Sequence, residues 1–455
     1  MIDTDLTNFL PDLKEVENLF NDDSLKIKHR FKQTDNKFVN TLTVNGQTYA
    51  YGNIVGDITD SITHKRLVKR YAKLSLYKAL SKYLGKEMPW GALTGIRPTK
   101  LAYAELERTG EFEEFFIDTM KVSQEKTMLT KMVIDSQKEI YQKNDKNTDF
   151  FVFIPFCPSR CKYCSFISAD IKFASKYLNQ YVDALIEEIK QSAQLIGNLR
   201  SIYIGGGTPV CLPNDLLEKI LCEIDKINTG VEFTVEAGRP DAINEDNLKI
   251  LKAHNVTRIC VNPQTFNDET LKLLGRNHTG QDILDKYQLA KNDFSINMDL
   301  IAGLPNEDLS CFQNSVKQAI SLQPDDITIH TLCIKKGSYL AEQNNRLKEG
   351  DVIQMVEYAH KALLENGYKP YYLYRQKYMA GNLENTGYAK NGKVCVYNID
   401  VMEEITQNVA CGANAISKRI FNGGERIERL ASPKDIPTYL AKLEKIIEDK
   451  KRLFS

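Results

Sequence analysis

From residue 146 onward, apolar residues gather into short runs separated by stretches of helical periodicity. Runs at 150–155, 201–204, 231–237, 257–262, 295–301 and 326–332 read as strands, and the intervals carry helical patterns such as LNQYVDALIEEIKQSAQLI at 178–196. Strands alternating with helices imply a parallel sheet joined by right-handed crossovers. Six such units predict an α/β fold, an incomplete (β/α)6 barrel over residues 146–375, with chemistry where strands run into their following loops.

The first 145 residues have a different pattern. FVNTLTV and QTYAYGNIV alternate in the manner of strands and meet at Asn45-Gly46, a strong hairpin signal. Residues 64–84 have apolar positions at helical spacing, Pro and Gly break the helices across 89–103, and 117–143 read as a further helix running into the polar linker QKNDKNTD. This predicts an N-terminal α+β accessory domain, 1–145. Residues 376–455 are expected to be a mainly helical, substrate-side region ending in the amphipathic LAKLEKIIEDKKRLF.

Composition narrows the function classes. With 42% apolar and 26% charged residues, the 455-residue chain is an ordinary folded protein of two or three domains. Sixty basic side chains balance sixty acidic ones, so no global field recruits nucleic acid or an anionic membrane. No basic segment followed by an apolar one opens the chain, and nowhere do about 18 apolar residues run together. A cytoplasmic protein without a membrane span is expected, and in such a chain ten cysteines point to thiols, metal binding or chemistry before disulfides.

FFVFIPFCPSRCKYCSF, residues 150–166, places Cys157, Cys161 and Cys164 directly after the first apolar run. A structural zinc site closes four Cys or His ligands around its ion. The next cysteine is Cys211 and the next histidine His254, so a fourth ligand would be remote. Thiolates also hold iron–sulfur clusters, and four irons held by three cysteines leave one iron open to a ligand that is not protein. C-x3-C-x2-C at a strand-to-loop junction favours that cluster over zinc or unliganded thiols. The other cysteines lack such spacing.

Cys157-x3-Cys161-x2-Cys164, with Tyr163 before the last cysteine, resembles the radical S-adenosylmethionine (radical SAM) superfamily. The resemblance implies a radical SAM barrel and a 4Fe-4S cluster whose open iron chelates the amino and carboxylate groups of S-adenosyl-L-methionine (SAM). In that superfamily the reduced cluster cleaves SAM to a radical that abstracts hydrogen from substrate. SIYIGGGTPV puts Gly205, Gly206 and Gly207, then Thr208, straight after a strand, where missing side chains let backbone approach a ligand. A plain tight turn is the alternative; the resemblance assigns the turn to the SAM amino group. In EFTVEAG, alternation puts Glu232, Thr234 and Glu236 on one face with only Glu236 at the strand's end, matching the SAM-binding Glu of the superfamily. RICVNPQTFND resembles the strand ending in Gln-Ser-Phe, with Gln264 retained and Thr265 in place of Ser. LLGRNHT offers Arg276 and NMDLIAGLP offers Asp299, where relatives contact SAM carboxylate or ribose. Taken singly, each of these polar residues also reads as a solvated loop residue or helix cap.

Within the superfamily, IPFCPSRCKYCSF, GGGTP, NMDLIAGLP and WGALTGIRPTK look like the oxygen-independent coproporphyrinogen III oxidase (coproporphyrinogen dehydrogenase) family, in its Gram-positive branch with an extra N-terminal domain. The resemblance implies haem biosynthesis: oxidative decarboxylation of two propionates of coproporphyrinogen III to vinyl groups, giving protoporphyrinogen IX. It also implies an electron donor such as flavodoxin or ferredoxin and an acceptor for the electron the substrate loses, and a monomer is expected. Four carboxylates around an apolar ring suit Arg or Lys at the rim and aromatics beneath. YKPYYLYRQKYMAGNLENTGYAKNGK, 368–393, interleaves tyrosines with Arg375 and Lys377, and His330 ends the sixth strand before Lys335 and Lys336. An exposed strand and a hydrogen-bonded core histidine are the bland readings of these two features.

The pattern departs from the well-known oxidases at three positions. Phe151 and Phe153 stand where they have Tyr and His, and Phe166 stands where they have a fourth cysteine. These bear on a second bound SAM and on the proton and electron steps. Related haem chaperones share the Cys-x-Phe ending, but their His-Asn-x-x-Tyr-Trp motif is here YNIDVM, 397–402, with Tyr397 as a conceivable iron ligand. Haem trafficking and radical chemistry on another tetrapyrrole are therefore the alternatives, and zero net charge speaks against a transfer-RNA substrate.

Overall fold

The computed structural model describes residues 2–56, 58, 60–95, 97–164, 169–333, 349–376, 379–424 and 426–455. The chain forms two compact units: residues 1–131 with 375–377, and residues 132–374 with 378–455.

In the first unit, Ile2–Thr4, Ile27–Thr34, Lys37–Val44 and Gln47–Ile54 form a four-stranded sheet in that order, antiparallel except for the first pair. Its last hairpin turns at Asn45 and Gly46, both left-handed (φ 45° and 92°), the geometry a two-residue hairpin demands. Helix Ser61–Leu84 opens where the Asp60 carboxylate accepts from the amides of Ile62 and Thr63, and closes at left-handed Gly85. The helix expected over 117–143 is shorter, Gln124–Gln137. Phe115–Thr119 makes a π turn before it, and Ser123 Oγ accepts from the Lys126 amide at 3.2 Å near its start. Pro98, in the stretch expected to break helices, begins helix Pro98–Thr109, because a first-turn position needs no N–H donor.

In the second unit the six expected strands are Asn147–Ile154, Asn198–Gly206, Glu232–Gly238, Arg258–Val261, Ser295–Ala302 and Asp326–Thr331, parallel and adjacent in chain order. The first begins inside the stretch read as a polar linker. Its buried Asp149 accepts from Ser201 Oγ at 2.6 Å and from Thr406 Oγ1, so hydrogen bonds compensate the burial of polar side chains there. Helices such as Leu178–Ser192 cover the sheet with Tyr181, Val182, Leu185 and Ile189 turned inward, a helical stripe facing the core.

Among the described residues the sheet continues beyond both ends of this set to 11 strands. Asn385–Ala389 and Lys369–Tyr374 extend it antiparallel past the sixth strand, which buries Tyr371 and Tyr372. On the other side Gln407–Cys411 runs parallel to the first strand and is followed by the antiparallel pair Ile416–Phe421 and Arg426–Ala431. The C-terminal region, expected to be mainly helical, thus carries four strands among its described residues, beside its helices. Short apolar runs such as NVAC carry no periodicity that distinguishes strand from buried helix.

Helix Val396–Glu403 lies against the first residues of the barrel strands, at their N-terminal end. Glu232 accepts from the amides of Val396 (3.1 Å) and Tyr397 (3.2 Å) at the start of the helix, a favourable place for a carboxylate. Arg258 bonds Asp326 and the carbonyls of Lys393 and Val394, and Arg200 pairs with Asp400 at 2.6 Å. Among the described residues no helix is long and apolar enough to cross a membrane.

Candidate cofactor-binding site

The three cysteines lie just past the end of the first barrel strand, all partly exposed. Phe156–Cys157 pairs with Ala169–Asp170, the Cys164 amide donates to the Cys161 carbonyl at 3.1 Å, and the Lys162 amide donates to Leu274 O at 3.0 Å. The last contact ties the cysteine loop to the segment that carries Arg276. Around the sulfurs, Thr208 Oγ1 donates to Cys157 Sγ (3.7 Å), and Nη1 of both Arg239 (3.6 Å) and Arg276 (3.9 Å) donates to Cys161 Sγ. Among the described residues no three His, Cys, Asp or Glu side chains converge to hold a metal ion. A cluster attaches each thiolate to a different iron and needs no convergence on one point.

The glycine turn lies flat against the backbone that feeds this loop. Gly207 N donates to Ile154 O and Thr208 N to Phe156 O, each at 2.7 Å. A Cβ on Gly207 would stand 2.2 Å from Phe156 O, and one on Gly205 would stand 2.8 Å from Glu236 Oε2. Side chains at these two positions would push the loops apart.

Glu236 projects into the barrel from the end of the third strand. Tyr203 OH donates to its Oε1 at 2.6 Å and Gly206 N to its Oε2 at 3.2 Å. Burial pushes the carboxyl above the ordinary carboxylate value, against these two hydrogen bonds, which favour the charged form. Gln264 has a left-handed backbone (φ 69°), donates its amide to Asp299 O at 2.8 Å and accepts from Ile301 N at 2.9 Å. Asp299 Oδ1 accepts from Asn297 Nδ2 at 2.8 Å and faces His330 Nε2 at 3.6 Å. Burial works to raise the Asp299 carboxyl, but His330, Asn297 and Thr328 outweigh it and hold the group below its ordinary value. Arg276 donates to Tyr163 OH at 3.0 Å and to Asn262 O at 2.7 Å, while the Tyr163 ring packs against Leu274, Ile301, Leu304 and Leu332.

The structure therefore brings Cys157, Cys161, Cys164, Tyr163, Gly205, Gly206, Gly207, Thr208, Glu236, Gln264, Arg276, Asp299 and His330 to the C-terminal ends of the barrel strands. Arg375 belongs to the other compact unit, where it is buried, donates to Leu93 O and lies 5.4 Å above the Trp90 ring. Lys377, Lys335, Lys336 and Phe166 lie outside the described residues.

Two features went unread in the sequence. Arg239, one residue past EFTVEAG, reaches the cysteine loop; an arginine directly after a barrel strand is the signal that marks it. Tyr203 shares the inward face of its strand with Gly205, which period-2 alternation reveals. Its ring stacks on Tyr397 at 4.3 Å, and Phe151 stacks on both, at 6.1 Å from Tyr203 and 5.9 Å from Tyr397. These three rings form an aromatic layer beneath Glu236.

The family model described as the Radical SAM superfamily matches residues 151–319. The oxygen-independent coproporphyrinogen-III oxidase-like protein HemZ of Bacillus subtilis (strain 168) is 34% identical over 414 residues, 87% of this chain and 82% of that protein. The heme chaperone HemW of Haemophilus influenzae is 31% identical over 302 residues, 64% of this chain and 75% of that protein. The solved structure of coproporphyrinogen III oxidase (HemN) from Escherichia coli covers 71% of this chain and 73% of its own, with a TM-score of 0.55 and 22% identity, a likeness of fold. The chain belongs to the radical SAM superfamily, whose members work with a 4Fe-4S cluster and SAM, and within it to the oxygen-independent coproporphyrinogen-III oxidase-like proteins.

Proposed function

We propose that the protein oxidatively decarboxylates two propionate side chains of coproporphyrinogen III, giving protoporphyrinogen IX. The observation that carries this reading is the likeness to HemZ, which runs through both compact units, where the likeness to HemW covers 64% of the chain.

The donor set fits the cofactors. Three thiols on one short loop supply three irons and leave the fourth for SAM. Gly205 and Gly207 let the glycine turn close on Glu236 and on the cysteine loop, where a Cβ would strike Glu236 Oε2 and Phe156 O, and Arg276 Nε is buried without a partner, a donor available to a carboxylate. In this reading Cys157, Cys161 and Cys164 hold the cluster, while Glu236 and the glycine turn take the SAM amino group. Arg276 takes its carboxylate, and Gln264 and Asp299 take the ribose side. When bound, the cluster and SAM supply the one-electron chemistry that removes hydrogen from a propionate carbon. The chain's own part is orientation and exclusion of water. Tyr203 holds Glu236 in place, Asn297 and His330 keep Asp299 ionised, and the helix Val396–Glu403 packs against the far end of the barrel. Loss of carbon dioxide leaves an electron on the substrate side, which an external acceptor must take.

Haem trafficking is the second reading, favoured by the likeness to HemW. Against it stands Tyr397, whose ring is stacked on Tyr203 and Phe151 inside the barrel and would have to leave that layer to meet an iron.

The deciding assay supplies anaerobically reconstituted protein with SAM, a reductant and coproporphyrinogen III. Protoporphyrinogen formation is expected; tight haem binding without product would replace this reading by trafficking.

A further inference from the structure

Arg239 stands one residue past the third barrel strand, after Gly238, whose left-handed backbone (φ 64°) turns the chain. Two residues on, Asp241 faces back and accepts from Arg239 Nε at 2.9 Å and from Nη2 at 2.6 Å. This fork fixes the guanidinium plane and aims Nη1 at the cysteine loop. There Nη1 donates to Ser159 O at 3.0 Å and Ser159 Oγ at 2.8 Å, and reaches Cys161 Sγ at 3.6 Å. Only 4% of Arg239 is exposed, so its guanidinium is shielded from water, which strengthens its hydrogen bonds relative to those of a surface side chain.

The arrangement does two separable things. Bonds to both the carbonyl and the hydroxyl of Ser159 grip the loop midway between Cys157 and Cys161. The third contact reaches the sulfur itself. Hydrogen bonds and positive charge at a thiolate stabilise the more negative, reduced state of a cluster and so raise its reduction potential. An arginine supplies both without titrating. Arg276, the other donor to Cys161, also bonds Tyr163 and the Asn262 carbonyl, so its sulfur contact is one of several duties.

We propose that Arg239 is a positioning residue that holds the loop between Cys157 and Cys161 in its ligand-ready shape and, through Cys161 Sγ, raises the reduction potential of the cluster. This rests on the proposed reading of Cys161 as a cluster ligand.

The test compares wild type, R239Q and R239K of the full chain, reconstituted without oxygen. Iron and sulfide content is measured first, then the cluster midpoint by a redox titration followed by electron paramagnetic resonance. R239Q is expected to give a more negative midpoint than wild type. R239K should fall between the two, since an ammonium keeps the charge but not the oriented fork. A wild-type midpoint in both variants at full iron and sulfide occupancy overturns the proposal, because a residue serving only to fold the loop would leave the potential in place. Should R239Q fail to hold a cluster, R239K decides alone: a lowered midpoint supports the role and a wild-type value refutes it. Absence of a cluster from the wild-type protein itself would instead count against the reading of the cysteines.

Discussion

Tyr203 and Glu236 are joined by a 2.6 Å hydrogen bond from phenol to carboxylate, made across neighbouring strands of the barrel. The bond gives the carboxylate one orientation, and the Gly206 amide on its other oxygen leaves little freedom to rotate.

Glu236→Ala is therefore expected to weaken SAM binding by about 1–3 kcal/mol, the cost of leaving a buried donor unpaired. Tyr203→Phe removes only the orienting bond and should weaken binding less. Calorimetry on anaerobically reconstituted protein checks both. Unchanged affinity in Glu236→Ala would remove this residue from the SAM site.

Lys450, on the last helix, reaches the Glu188 carboxylate at 2.7 Å and Ser192 Oγ at 3.0 Å, with Lys450 and Glu188 both almost wholly buried. The other Glu188 oxygen accepts from Tyr439 OH at 2.6 Å and Gly412 N at 2.8 Å. Lys450→Ala leaves that carboxylate without its counter-charge and should destabilise the unit by about 3–5 kcal/mol. Lys450→Met combined with Glu188→Leu should cost less than the single change, because no buried charge is left unpaired. Urea denaturation of the full chain provides the comparison, and a loss under about 1 kcal/mol for Lys450→Ala would contradict it.

His29 is fully buried in the N-terminal sheet, with Nδ1 2.9 Å from Thr4 Oγ1 and Nε2 2.9 Å from Asn40 Oδ1. Burial lowers its pKa below the ordinary 6.5, against the Asn40 hydrogen bond. The unfolded chain therefore binds the proton first as pH falls through 6.5, and stability drains from the folded unit until the folded value is passed. Trp90, the single tryptophan, lies in the same unit and reports its unfolding. The urea midpoint from its fluorescence should drop between about pH 7.5 and about pH 5.5 and should do so less in His29→Gln. Equal pH dependence in wild type and variant would rule His29 out as the cause.

The barrel was legible because its six strands are apolar runs spaced by amphipathic helices, and the Asn45-Gly46 hairpin because its turn chemistry is local. Asp149 hid the start of the first strand, since its burial depends on Ser201 and Thr406, remote in sequence. The strands after residue 376 were hidden for a related reason: Gln407–Cys411 is a strand through its pairing with residues 148–152, a partnership no local window contains. At the site, the spacing of Cys157, Cys161 and Cys164 and the strand-end position of Glu236 could be read directly. Arg239 was marked only by its place directly after a barrel strand; its reach comes from Asp241 fixing its guanidinium against a loop 80 residues earlier. Arg375 suited a carboxylate-rich substrate in the sequence; its own surroundings are Leu93 O and the Trp90 ring.

In the proposed function three cysteines hold a cluster with one iron left for SAM. Electron paramagnetic resonance of the dithionite-reduced wild-type protein, recorded before and after SAM is added, tests it most directly. A four-iron signal that shifts with SAM, and that vanishes in Cys157→Ala, Cys161→Ala and Cys164→Ala, is the predicted result; a signal indifferent to SAM, or one that survives all three substitutions, would contradict the account.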